Sequence, residues 1–203
     1  MARCASLALL CVTIVAGCAA AVSTGAATHN GHNDGDISPA VDREAWERLQ
    51  ELGDVSDTDG SLERTFLSPA ARRAMDMIAA WMRDAGMRTW VDAVGNVHGR
   101  IDGSDPTAKV LLVGSHLDTV RDAGKYDGAL GVIVGIAAVK ALVLEAAATG
   151  VPLARPVQVV AFCDEEGVRF SSTFLGSRAI IGSIPEKVRR CRLTPGRPQL
   201  TPG

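Results

Sequence analysis

Two short apolar runs constrain the fold more than any other feature: Val110 to Val113 and Val157 to Phe162, with an Ala-, Val-, Ile- and Leu-rich segment from 128 to about 147 between them. A strand buried on both faces reads as an unbroken apolar run, whereas a half-exposed strand alternates. The segment between them has the length and composition of a helix. Its hydrophobicity invites a membrane-spanning reading, but Lys140 and Glu145 would lie inside the span, and Pro152 and Pro156 lead directly into the second run. Strand, helix and strand in that order make a crossover unit with parallel strands. The segments after Val113 and after Phe162 then leave the sheet at the same carboxyl edge. The expected class is α/β, a largely parallel sheet flanked by helices.

The elements before this unit carry their own punctuation. Ser38-Pro39 is an N-cap followed by a helix-initiating proline, and Val41, Ala45, Leu49 and Leu52 then recur at helical spacing up to Gly53. Ser68-Pro69 opens a second helix, with Met75, Ile78, Ala79 and Met82 on its apolar face and Gly86 as its stop. Trp46 and Trp81 are expected to pack between these helices and the sheet. Residues 87 to 94 and 97 to 101 read as strands joined at Gly95-Asn96, a hairpin turn pair, with His98 as a packed residue. The balance of 21 basic against 23 acidic side chains leaves no basic stripe for a phosphate backbone, which excludes nucleic acid as the expected partner.

The ends read differently from the middle. Residues 1 to 21 have Arg3 as their only charge, an apolar run from Cys4 to Val15 and then small residues, a signal-peptide pattern. A membrane anchor would need about 20 strongly apolar residues. Val15-Ala16-Gly17-Cys18 also has the form of a lipoprotein signal. The expected localisation is the endoplasmic reticulum or secretory pathway, with no membrane association after cleavage. Residues 22 to 37, which include His29 and His32, are too polar to offset their ordering entropy and read as a disordered linker. Residues 38 to 183 are the folded part. From 184 to 203 the chain has no helical or strand period and repeats Thr-Pro-Gly, the pattern of an unstructured tail. Cleavage would leave Cys163 and Cys191, too few for a disulfide scaffold, with Cys163 a small core residue.

Polar residues cluster where the two buried strands end: Gly114-Ser115-His116-Leu117-Asp118-Thr119-Val120 after the first, Cys163-Asp164-Glu165-Glu166-Gly167 after the second, and Lys125-Tyr126-Asp127-Gly128 just before the helix. A hydrolytic two-metal site needs a bridging carboxylate, terminal His or carboxylate ligands, a partner for the ligating imidazole and a carboxylate base. His116 can give a ring nitrogen to one ion, and Asp118 can accept its other N–H. Asp127 can bridge, Glu166 can hold the second ion, and Glu165 can face the water to be activated. Any one of these patterns alone is weak, since runs of acidic residues are usually solvated surface. Their convergence at one sheet edge is what points to a metal site.

At these residues the chain resembles the metal-dependent amidohydrolases related to aminoacylases and carboxypeptidases, in particular their allantoate and N-carbamoyl-amino-acid branch. Leu62 to Ala70, Trp90 to Arg100 and Ser172 to Ser177 look closer still to the plant allantoate deiminases, and the resemblance runs from about Trp46 to Gly182. It implies His116, Asp127 and Glu166 as ligands of two ions, most often manganese, with Glu165 as acid/base and Asp118 in support. It further implies a small ureido substrate, hydrolysis of allantoate within purine catabolism, and ureidoglycolate or N-carbamoyl-L-amino acids as the alternatives. The family pattern adds two later metal-ligating histidines and a lid domain that forms the homodimer. The histidines here are His29, His32, His98 and His116, so a truncated, poorly active or non-catalytic product is expected.

Overall fold

A computed structural model describes residues 37 to 184. The signal segment, most of the linker with His29 and His32, Cys191 and the tail from 185 lie outside the described residues. Helix α1 (Ile37–Gly53) begins one residue inside the expected linker and buries Val41, Leu49 and Leu52. Helix α2 (Pro69–Asp84) starts as its cap requires, with the Ser68 hydroxyl accepting the Ala71 N–H at 3.1 Å. A Ser68→Ala change is expected to lower unfolding stability by about 1 kcal/mol, measurable by urea denaturation.

Strands β1 (Arg88–Val91) and β2 (Val97–Ile101) form the expected antiparallel hairpin. β1 stops three residues short of the expected 94 because Asp92 takes over the turn. Its Oδ1 accepts the N–H groups of Val94, Gly95 and Asn96 at 2.9 to 3.0 Å, while Oδ2 accepts from Asn96 Nδ2 at 2.8 Å and faces His98 Nε2 at 3.0 Å. His98 is packed as expected, stacked on Trp90 at 4.9 Å and within 3.1 Å of Gln158. Burial pushes the Asp92 carboxyl up, but the bonds from His98, Asn96 and Val94 outweigh it and hold the group below its usual value. A depressed folded-state pKa stabilises above the unfolded value of about 3.9 and is lost as pH falls through the lower folded one. Asp92→Ala is therefore expected to cost about 2 kcal/mol at pH 7. The difference from wild type should shrink below pH ~4 in urea titrations run across pH.

Strand β3 (Leu111–His116), helix α3 (Ala129–Thr149) and strand β4 (Val157–Phe162) supply the crossover, with β3 and β4 parallel from Leu111↔Val157 to His116↔Phe162. The sheet order is β1-β2-β4-β3, and β2 pairs antiparallel with β4. The sheet is thus mixed rather than largely parallel: the crossover supplies its parallel pair, and the hairpin adds two antiparallel ones. Val97, Val157, Val159 and Ala161 point into one core with residues of α1, α2 and α3. A short helix α4 (Leu175–Ile180), not anticipated from the sequence, packs near the end of β4.

Two sequence expectations are corrected. The apolar run Val110 to Val113 predicts a strand buried on both faces, yet Leu111 and Leu112 are 42% and 36% exposed. β3 is an edge among the described strands, and an apolar run states what a strand can bury, not whether its flank is covered. Trp46 does not pack between helix and sheet; it lies 56% exposed on α1, its ring 6.4 Å from that of Tyr126. Trp81 does pack against the core. Helix α3 is long and apolar enough to cross a bilayer by length and composition alone. Within this fold Val132, Ile133, Ile136 and Val139 bury one side of it against the sheet and α1.

Candidate metal centre

The parallel register sets His116 opposite Phe162, so the chain leaves β3 and β4 side by side. Beyond β4, Asp164 adopts a left-handed conformation (φ 49°), tolerable for an Asp, and turns the following residues toward the β3 loop. There the Glu165 N–H donates to Asp118 Oδ1 at 3.0 Å and the Glu166 N–H to Oδ2 at 3.2 Å. The buried Asp118 carboxylate therefore ties the two loops together.

This changes the role assigned to Asp118 from the sequence. His116 Nδ1 lies 2.9 Å from the main-chain carbonyl of Asp118, not from its carboxylate, which the two amides occupy. A carbonyl oxygen only accepts, so Nδ1 donates to it, and Nε2 is the ring nitrogen left to meet an ion. Nε2 is 3.4 Å from Asp127 Oδ1. His116, Asp127 and Glu166 each place one ligand atom within 4.8 Å of the others. Glu165 is half-buried beside them and outside the triad.

The electrostatics suit a cation. Burial, and then the charge of Glu165, hold the Glu166 carboxyl above its usual value, with Asp127 and Asp118 pushing the same way and His116 opposing. A carboxyl raised by neighbouring anions strains the ionised state, and a divalent ion relieves that strain. One imidazole and two carboxylates fit a borderline divalent metal and leave coordination positions open, as catalytic centres do. A second ion needs more donors than this group supplies, and it is the one such group among the described residues.

Close approach makes the geometry possible. Gly128 precedes α3 at φ 65°, and a Cβ there would collide with the His116 imidazole. Gly128→Ala is expected to displace His116 and weaken any divalent-ion binding about tenfold or more in a calorimetric titration, the effect of disturbing a ligand's outer contacts.

Sequence reasoning missed several contributors. Asp164 is fully buried, accepts a short hydrogen bond from Ser172 and is held above its usual pKa by burial despite that bond. Arg64 is fully buried against the β3 loop. No local pattern distinguishes either from a surface charge. Asn96 Oδ1 accepts the Cys163 N–H at 3.0 Å, anchoring the hairpin turn to the start of the β4 loop. Cys163 donates Sγ–H to the Val94 carbonyl, and burial, helped by nearby acidic groups, pushes its thiol up to about 12. It is a packed residue, expected to resist iodoacetamide in the folded chain and to react on unfolding.

Comparisons with known proteins find relatives among the amidohydrolases. The family model for peptidase family M28 matches residues 96 to 192. "Allantoate deiminase 1" of Glycine max is 58% identical over 151 residues, 74% of this chain and 31% of that protein. "N-carbamoyl-L-amino acid amidohydrolase" of Geobacillus stearothermophilus is 44% identical over 148 residues, 72% of this chain and 35% of that protein. The chain belongs to this amidohydrolase family. A hydantoinase/carbamoylase family amidase from Burkholderia ambifaria shares the fold of the family segment at a TM-score of 0.65 and 37% identity, over 72% of this chain and 35% of the amidase. The chain thus spans about a third of the length of the family members it matches.

Proposed function

We propose that this chain carries the metal-binding part of an enzyme that hydrolyses the ureido C–N bond of allantoate, yielding ureidoglycine, ammonia and carbon dioxide. The observation that carries the reading is the convergence of His116, Asp127 and Glu166, with Glu165 adjacent, on one sheet edge. The choice of allantoate rests on the higher identity to the soybean protein, 58% against 44% for the carbamoylase. N-carbamoyl-L-amino acids are the second reading, favoured by that 44% similarity.

A divalent ion, proposed to be Mn2+, would supply Lewis-acid polarisation of the ureido carbonyl and of a water there. Nε2 of His116, freed by the Nδ1 bond, and the carboxylates of Asp127 and Glu166 would hold it. Glu165 takes the proton of the attacking water and returns it to the leaving nitrogen. Asp118 does not touch substrate in this scheme; by gripping the amides of residues 165 and 166 it sets where Glu165 stands. We also propose passage through the secretory pathway on the strength of residues 1 to 21, to be checked by the N-terminal mass of the protein exported from cells.

The activity is tested with Mn2+-dependent ammonia release, using the full chain and a chimera in which its matched segment replaces the corresponding 151 residues of the soybean relative. The expected result is release from allantoate by the chimera, exceeding that from N-carbamoyl amino acids. A reversed preference selects the second reading, and no release from either substrate overturns both.

A further inference from the structure

We propose that Arg64 is a positioning residue of the metal centre, whose guanidinium locks the Leu117–Thr119 turn from behind and thereby sets the direction of His116 and Asp118. The inference rests on the metal-centre reading above and extends it to a residue outside the ligand group.

Arg64 is fully buried, and its bonds join two parts of the chain, the end of α1 and the Leu117–Thr119 turn. Nε donates to the Leu117 carbonyl at 3.0 Å, and Nη1 donates to the carbonyls of Leu52 at 2.8 Å and Val55 at 3.1 Å. Its main chain is stitched to the same turn: the Arg64 N–H donates to Thr119 Oγ1 at 2.8 Å, and the Thr119 N–H donates to the Arg64 carbonyl at 3.1 Å. The Ala123 N–H bonds to the Leu62 carbonyl at 2.9 Å and continues that seam.

Leu117 sits between His116 and Asp118, so pinning its carbonyl orients the peptide planes on which both depend. Asp118 in turn holds the amides of Glu165 and Glu166, so one chain of contacts runs from Arg64 to the His116 ring and to the backbone of both glutamates. Burial drags the guanidinium pKa down to about 10, with Asp118 and then Asp57 as the charges that oppose the shift. It stays cationic at neutral pH. A buried cation bonded to three neutral carbonyls is a costly way to hold a fold together, since an apolar side chain would satisfy packing alone. A fork that fixes three carbonyls at once is what only Arg provides.

The test compares Arg64→Met, Arg64→Lys and a core control, Ile78→Ala, in the full chain by Mn2+ titration and by amide hydrogen exchange. Arg64→Met is expected to weaken Mn2+ binding about 10- to 100-fold, the usual effect of losing an outer-sphere contact. It should also lose protection selectively at Thr119, Glu165 and Glu166. Arg64→Lys should recover part of both. Ile78→Ala, which opens a cavity in the core away from the site, should leave Mn2+ affinity near wild type. Wild-type affinity in Arg64→Met, or equal loss in Ile78→Ala, overturns the proposal. If the wild-type chain does not bind Mn2+, the metal-centre reading falls, and the exchange pattern still decides the clamp: unchanged protection of those three amides in Arg64→Met refutes it.

Discussion

Asp127→Ala is expected to reduce Mn2+ affinity of the full chain by more than the roughly 10- to 100-fold that outer contacts command, because it removes a proposed direct ligand. Asp127 is the donor nearest the free ring nitrogen of His116, at 3.4 Å. Without it only one nitrogen and one carboxylate remain. The same change should not unfold the protein, since the Asp127 side chain is 57% exposed and its removal takes one anion away from Glu166. The Glu166 carboxyl should therefore move down toward its ordinary range, visible as a shift in its carboxyl carbon resonance with pH. Calorimetric titration with Mn2+ checks the first half, and thermal unfolding without metal checks the second. A variant that melts early and still binds metal would contradict both.

Glu165→Gln is expected to lower allantoate turnover in the chimera by about 10²- to 10⁴-fold, the range for loss of a general acid/base. Mn2+ binding should persist, because Glu165 is not one of the three residues whose ligand atoms converge. The substitution keeps the side-chain volume and the backbone N–H that donates to Asp118, so the loop tie survives. It removes only the group that can accept a proton. If the variant lost metal and activity together, Glu165 would be a ligand and the division of labour between the adjacent glutamates would be wrong.

Much of the site was legible in the sequence because parallel strands separated by a helix must deliver their following loops to one edge. Val157 to Phe162 could be placed to the residue, since its apolar run is bounded by Pro156 and by Asp164. The convergence of His116, Asp127 and Glu166 followed from that topology plus spacing. Features that depend on what lies across space were not legible. Asp118 stands out in the sequence, but whether its carboxylate or its carbonyl meets His116 depends on where the β4 loop places two amides. Arg64 looks like any charged residue in a turn until the carbonyls at the end of α1 and that of Leu117 close around it. The exposure of β3 and of Trp46 was missed for the complementary reason: periodicity reports the capacity of a residue to be buried, and the neighbours decide the outcome.

The claim on which the rest depends is that three side chains hold one divalent ion. Anomalous X-ray scattering from a crystal of the chain grown with Mn2+ tests it most directly. A manganese peak is expected bonded to His116 Nε2 and to the carboxylates of Asp127 and Glu166, with His116 Nδ1 still on the Asp118 carbonyl. No peak at these residues with Mn2+ in excess, or a peak reached by other side chains, would contradict it.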